Sequence, residues 1–199
     1  MTSLRVLPNP DEELDHRNPL VLTVDAVLSA DECAALIARI EAAGPTAAPI
    51  TTSDGFAMRP DIRNNSRVMF DDEALSQQLF ERVRERVPQR LEHDWSLCGA
   101  NERLRCYRYE RGQYFAPHFD GAFTRHRGER SLLTMMVYLN ACQAGGHTHL
   151  LDLELRVAPR PGAALIFNHH LLHEGARVER GVKYAVRTDL MYRRVTPRC

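Results

Sequence analysis

His118-Phe119-Asp120 is the element of the sequence best suited to chemistry. On an extended strand, residues i and i+2 project to the same side, so this imidazole and this carboxylate can converge on one ion. His173 follows fifty-five residues later in Leu171-Leu172-His173-Glu174-Gly175, after a Pro161-Gly162 turn and the apolar run Ala163–Phe167. Two imidazoles and a carboxylate on one face of an ion leave its other face open. That arrangement suits Fe(II) holding an oxidant together with a co-substrate. Spacing alone leaves ordinary surface or core histidines as the alternative, because the chain has nine. Lys183 is conspicuous for another reason: it is the only lysine among 26 basic residues.

The elements that must position these groups come from a chain of 199 residues with 26 acidic residues, no net charge and 44% apolar content. One domain of this size buries roughly 70% of the surface its unfolded chain exposes. Zero net charge removes the general electrostatic argument for nucleic-acid or anionic-membrane binding. The Arg-rich pieces are dispersed and balanced by acids. No apolar run approaches the roughly 18–20 residues of a membrane span, and the acidic start lacks an apolar leader. Five cysteines without a CxxC pair favour reduced thiols and a cytoplasmic setting.

Leu20–Val24 reads as a short strand, and Ser29-x-x-Glu32 as a capping box opening a helix with Cys33, Leu36, Ile37 and Ile40 on one stripe. A second helix is expected over about Asp71–Val87. Residues 45–65 read as a long loop and, with Phe123–Arg130, as lid pieces. From about residue 97 strands dominate: Leu104–Tyr109, Leu132–Leu139, Leu150–Val157, Ala163–Phe167 and Lys183–Tyr192. Alternation of Leu151, Leu153, Leu155 and Val157 with polar residues predicts one half-exposed strand. Helices followed by strands point to an antiparallel sandwich or barrel with helices on one side.

Tyr109-x-x-Gly112-Gln113-Tyr114-x-x-Pro117-His118-Phe119-Asp120 resembles the iron-binding segment of prolyl 4-hydroxylase-like Fe(II)/2-oxoglutarate dioxygenases. Leu132–Asn140, Gly145-Gly146-x-Thr148, Val157-x-Pro159-x-Pro161-Gly162 and His173-Glu174-Gly175-x-x-Val178-x-x-Gly181-x-Lys183-Tyr184 follow in that family's order. The resemblance covers about residues 100–193. It implies a mainly β fold, a double-stranded β-helix (jelly-roll) core over 97–194, with residues 1–96 as an N-terminal support region whose helices pack on one side. It implies iron bound by His118, Asp120 and His173, with 2-oxoglutarate and O2 as co-substrates and ascorbate as a supporting reductant.

The same resemblance places Lys183, ten residues after His173, against the distal carboxylate of 2-oxoglutarate, with the hydroxyl of Tyr138 or Tyr109 adding a bond. Arg187 shares strand parity with Lys183 and Asp189. It is read as a second cavity residue, an alternative anchor, or a partner of Asp189. The implied reaction hydroxylates an unactivated C–H bond of a peptidyl proline, another amino-acid side chain or a small molecule, with 2-oxoglutarate becoming succinate. No membrane or nucleic-acid partner is expected, and the oligomeric state is open. Arg59, Arg63 and Arg67 would suit an acidic substrate or a solvated surface equally well. The competing reading is a non-catalytic jelly roll, either a cupin-like metal module using His147, His149 and Glu154 or a 2-oxoglutarate sensor.

Overall fold

The computed structural model describes residues 3–126 and 128–195. The chain begins with β1 (Arg5–Val6), β2 (Val21–Val24), α1 (Ala30–Ala42), β3 (Thr46–Ala47), β4 (Ile50–Thr52), β5 (Gly55–Ala57), β6 (Ser66–Asp71) and α2 (Glu73–Val83). There follow β7 (Arg90–Leu91), β8 (Trp95–Ala100), β9 (Arg103–Tyr109), β10 (Phe115–His118), β11 (Thr124–His126) and β12 (Glu129–Tyr138). The remainder holds β13 (Ala144–Gly145), β14 (Thr148–Leu150), β15 (Leu155–Val157), β16 (Ala164–Asn168), β17 (His173–Gly175), β18 (Val178–Arg180) and β19 (Lys183–Arg194).

Both helices start on side-chain caps. The Ser29 hydroxyl accepts from the Glu32 N–H at 3.2 Å, while the Glu32 carboxylate accepts from the Ser29 N–H at 2.8 Å, closing the capping box. Asp72 accepts from the Leu75 N–H at 3.0 Å and sets the start of α2. No helix among the described residues is long and apolar enough to cross a membrane.

Antiparallel pairing joins β1-β2-β16-β12-β19-β9-β6-β3 into the main sheet, with β8, β7 and β11 attached. The N-terminal strands β2 and β6 are therefore hydrogen-bonded members of the same sheet as β9, β12, β16 and β19. A smaller sheet runs β10-β17-β14-β15.

Register shows how one sheet serves two purposes. Val68, Cys106, Val186, Val137 and Ala164 lie directly opposite one another across β6, β9, β19, β12 and β16. This apolar row joins one core with Cys33, Leu36 and Ile40 of α1 and Leu79, Phe80 and Val83 of α2. One residue along each strand, the pleat turns to the other face. There the aligned row is Arg67, Tyr107, Ala185 and Tyr138. Tyr107, Tyr109, Met136 and Tyr138 meet Leu150, Val157, Leu171 and Val178 in a second buried cluster.

Three expectations need correction. Residues 45–65 are not an unstructured loop, because they contain β3 and the β4–β5 hairpin, whose Thr52–Gly55 turn has Gly55 at φ +114°. Residues 150–157 are not one strand: β14 and β15 fold into a hairpin around a 3-10 turn at Leu151–Leu153, and Glu154 takes φ +49°. Phe123–Arg130 is largely pinned, since β11 pairs with β12 and the Ser131 N–H donates to the Phe123 carbonyl at 2.8 Å. Arg127, within that stretch, lies outside the described residues. The turn before β16 needs glycine: Gly162 has φ +73°, and a Cβ there would sit 2.0 Å from the Leu28 carbonyl oxygen.

Candidate active site

The antiparallel pair β10–β17 sets His118 directly opposite His173, with ring centroids 4.3 Å apart. Asp120 lies just past the end of β10, where its backbone N–H donates to the His169 carbonyl at 3.2 Å. Its carboxylate reaches both rings, 3.9 Å from His118 Nε2 and 3.6 Å from His173 Nε2. One donor atom from each residue falls within 4.8 Å of the others, a spacing at which all three can hold one metal ion.

The hydrogen bonds behind these groups suit that role. His118 Nδ1 faces the Ala116 carbonyl at 2.8 Å, and His173 Nδ1 faces the Leu171 carbonyl at 3.0 Å. A carbonyl only accepts, so each Nδ1 carries the proton and each Nε2 keeps its lone pair toward the cluster. Burial pushes both imidazoles down, His118 to about 3, so both are neutral ligands at neutral pH. Burial acts to raise Asp120, but the Arg187 guanidinium and the neighbouring imidazoles outweigh it and hold the carboxyl well below its usual range.

Asp120 is braced from both sides. Arg187 Nη1 lies 2.9 Å from Oδ1, and Arg187 Nη2 lies 2.9 Å from Asp189. Thr134 donates to Oδ2 at 2.6 Å. That donation leaves the Thr134 oxygen to accept from His169 Nδ1 at 3.0 Å, and His169 Nε2 then accepts from the Ser131 hydroxyl at 2.8 Å. The wiring requires neutral His169, and burial lowers its pKa to about 4.

The other end of the cavity differs. Lys183, at the start of β19, is 2% exposed, and among the described residues no carboxylate lies within ion-pairing distance of it. Its ammonium sits 5.2 and 5.5 Å from the ring centroids of Tyr109 and Tyr138. Burial pushes its pKa down to about 8. Lys183, Tyr109, Thr148, His118, Asp120, His173 and Arg187 line one hollow between the sheets. The Tyr138 hydroxyl is engaged with Thr148 Oγ1 at 2.7 Å.

The other sequence candidates separate. His149 pairs with Glu174 at 3.3 Å, while Glu154 sits in the hairpin turn. Arg59 is exposed and paired with Asp61, whereas Arg63 is buried between the Tyr107 and Phe115 rings at 4.8 and 4.4 Å. The sequence alone singles out none of Ser131, Thr134, His169 and Arg105, although Ser131, Thr134 and His169 form the chain behind Asp120 and Arg105 pairs with Asp189. Thr134 had one available signal: it is a polar residue inside the apolar run Leu132–Leu139.

The cluster and Lys183 all fall within residues 104–188, which match the family model for the 2OG-Fe(II) oxygenase superfamily. The chain is also similar to a protein of Acanthamoeba polyphaga mimivirus described as a candidate prolyl 4-hydroxylase, at 30% identity over 101 residues. The match covers 42% of this chain and 42% of that relative. Solved folds extend the likeness over most of the chain. The viral collagen prolyl hydroxylase of Paramecium Bursaria Chlorella virus-1, in its 2OG complex, aligns over 87% of this chain and 96% of its own, with TM-score 0.65 and 23% identity. A Pseudomonas putida prolyl-4-hydroxylase aligns over 88% and 93%, with TM-score 0.60 and 20% identity. A Trichoplax adhaerens prolyl hydroxylase in complex with a hypoxia inducible factor peptide aligns over 85% and 82%, with TM-score 0.63 and 14% identity.

Proposed function

We propose that the protein is an Fe(II)- and 2-oxoglutarate-dependent dioxygenase that hydroxylates an unactivated C–H bond while 2-oxoglutarate is decarboxylated to succinate. The observation that carries this reading is the pairing of a neutral two-histidine, one-carboxylate cluster with a buried, uncompensated Lys183 in one cavity. In this reading the two facing sheets are the double-stranded β-helix core, most of it from residues 97–194, while residues 1–96 add β2 and β6 to the main sheet and α1 and α2 to the core against its apolar face.

In this reading His118, Asp120 and His173 hold the iron, whose bound chemistry would be activation of O2 for C–H oxidation. Lys183 pairs the distal carboxylate of 2-oxoglutarate, and Tyr109, which lines the same hollow, adds its hydroxyl, whereas the Tyr138 hydroxyl is engaged with Thr148. Burying a carboxylate without such a partner would be costly, and the same holds for the ammonium alone. Arg187 and Thr134 keep Asp120 ionised and oriented. Phe115 and Met136 supply the apolar part of the hollow's wall. Ascorbate would keep the iron reduced between turnovers.

The named activities of the solved relatives point to a peptide substrate, with a small molecule as the other class. A cytoplasmic setting goes with this reading. Purified protein with Fe(II) and 2-oxoglutarate in air should form succinate slowly without added substrate, and Asp120→Ala should not. Equal succinate from both proteins would overturn the proposal.

A further inference from the structure

Beside the metal cluster, β6, β9, β10 and β19 surround an open cleft of about 330 Å³. It shares Tyr107, Phe115, His118, Asp120 and Arg187 with the inner hollow, and Ile50 and Thr51 of β4 form part of its rim. Four guanidiniums line it: Arg63, Arg67, Arg105 and Arg187. Two carboxylates answer them. Arg187 pairs with Asp120 and Asp189, and Arg105 pairs with Asp189 at 3.2 Å.

Arg63 and Arg67 are left over. Neither has a carboxylate within 4 Å among the described residues. Arg63 is 4% exposed, and its Nη2 is buried without a hydrogen-bond partner. Its Nε donates to Asn65 at 2.7 Å, which fixes the guanidinium's orientation between its two aromatic neighbours. Arg67 projects from β6 opposite Tyr107, and burial together with Arg63, Arg105 and Arg187 pushes its pKa below the usual value. A cation held beside other cations, in a cleft open to ligands, is a costly arrangement that an anion relieves.

We propose that the substrate entering this cleft carries a carboxylate, seated on Arg63 and Arg67, with its reacting carbon directed toward the His118–Asp120 side. The reaction assigned to that carbon rests on the dioxygenase reading; the anion subsite does not. The carboxylate can come from a free small acid or from an acidic side chain of a peptide, and two arms of one experiment separate these sources.

Calorimetric titrations would use the 199-residue chain preloaded with Mn(II) and saturating 2-oxoglutarate, so that the inner anion site is already filled. The probes are N-acetyl-L-aspartate against its uncharged diamide, and the amide-capped peptide Gly-Gly-Asp-Gly-Gly against its Asn counterpart. At least one acid should bind about tenfold or more tightly than its neutral partner, and Arg67→Gln should remove that preference. Arg67→Lys, which keeps the charge, should restore much of it. Preference for the free acid assigns a small-molecule source, and preference for the peptide assigns a side chain. Equal binding of acids and neutral partners, or a preference unchanged in Arg67→Gln, would overturn the inference. Retained acid preference in protein that fails to bind Mn(II) and 2-oxoglutarate would support the anion subsite while removing the dioxygenase reading.

Discussion

At one end of the cavity every charged group is answered. Asp120 meets Arg187 and Thr134, both histidines are fixed through Nδ1, and His169 and Ser131 complete the chain. At the other end, Lys183 is equally buried, its ammonium faces the Tyr109 and Tyr138 rings, and among the described residues no carboxylate pairs with it. The first arrangement is preorganised for a cation: neutral nitrogen donors and an ionised oxygen donor are held in place before it arrives. The second is unfinished without an anion. Together they imply a ligand that bridges the two ends, with one terminus on a metal and a carboxylate on Lys183.

The strongest way to break this contrast is to remove a donor from the satisfied end. Asp120→Ala should abolish Mn(II) binding and lower succinate formation at least about 100-fold, as followed by paramagnetic resonance and product assay. It should also destabilise the protein, because Arg187 loses a partner.

Lys183→Met should behave oppositely in stability. The 2-oxoglutarate Kd should rise about 10–100-fold, a loss of about 1.4–2.8 kcal/mol. The ligand-free protein should nevertheless melt higher, by a free energy on the order of 1–3 kcal/mol, because an unpaired buried charge is gone. A lower melting temperature would show that the ammonium is compensated after all.

Titration sharpens the same point. The Lys183 pKa in the folded protein is about 8, depressed from 10.5, so the unfolded chain binds more protons between those values. This residue's contribution to ligand-free stability therefore improves as pH rises through that window. Binding of 2-oxoglutarate has the reverse sign. It needs the ammonium, so the Kd should be flat below pH 8 and rise by up to about tenfold per pH unit above it. Lys183→Met should lack that dependence, as binding titrations from pH 7 to 9.5 would show.

The smallest effect belongs to the brace. Thr134→Val keeps shape but leaves Asp120 Oδ2 and His169 Nδ1 without their shared partner. Metal affinity should fall roughly tenfold. The Kd for 2-oxoglutarate at saturating metal should change little, which separates the two ends.

The convergence of His118, Asp120 and His173 was legible through the run of motifs around them, since spacing alone left ordinary histidines as the alternative, and Lys183 stood out as one lysine in an arginine-rich chain. The brace was not, because Thr134, His169 and Asp120 come from three separate segments that meet through long-range backbone contacts. Register also decided Arg187, which satisfies two of its sequence readings at once by pairing Asp189 and facing the cavity. Alternation misled at residues 150–157, where a left-handed Glu154 reverses the chain without glycine or proline. The β4–β5 hairpin had a readable signal in Asp54-Gly55 between Thr51-Thr52 and Phe56, which the polar composition of its surroundings obscured.

Titration of 2-oxoglutarate into the protein with and without Mn(II), beside Lys183→Met and Asp120→Ala, tests the bridging ligand most directly. Tight binding only with the metal, weakened by Lys183→Met and lost in Asp120→Ala, is the result expected. Binding indifferent to the metal, or undisturbed by both substitutions, would contradict the account.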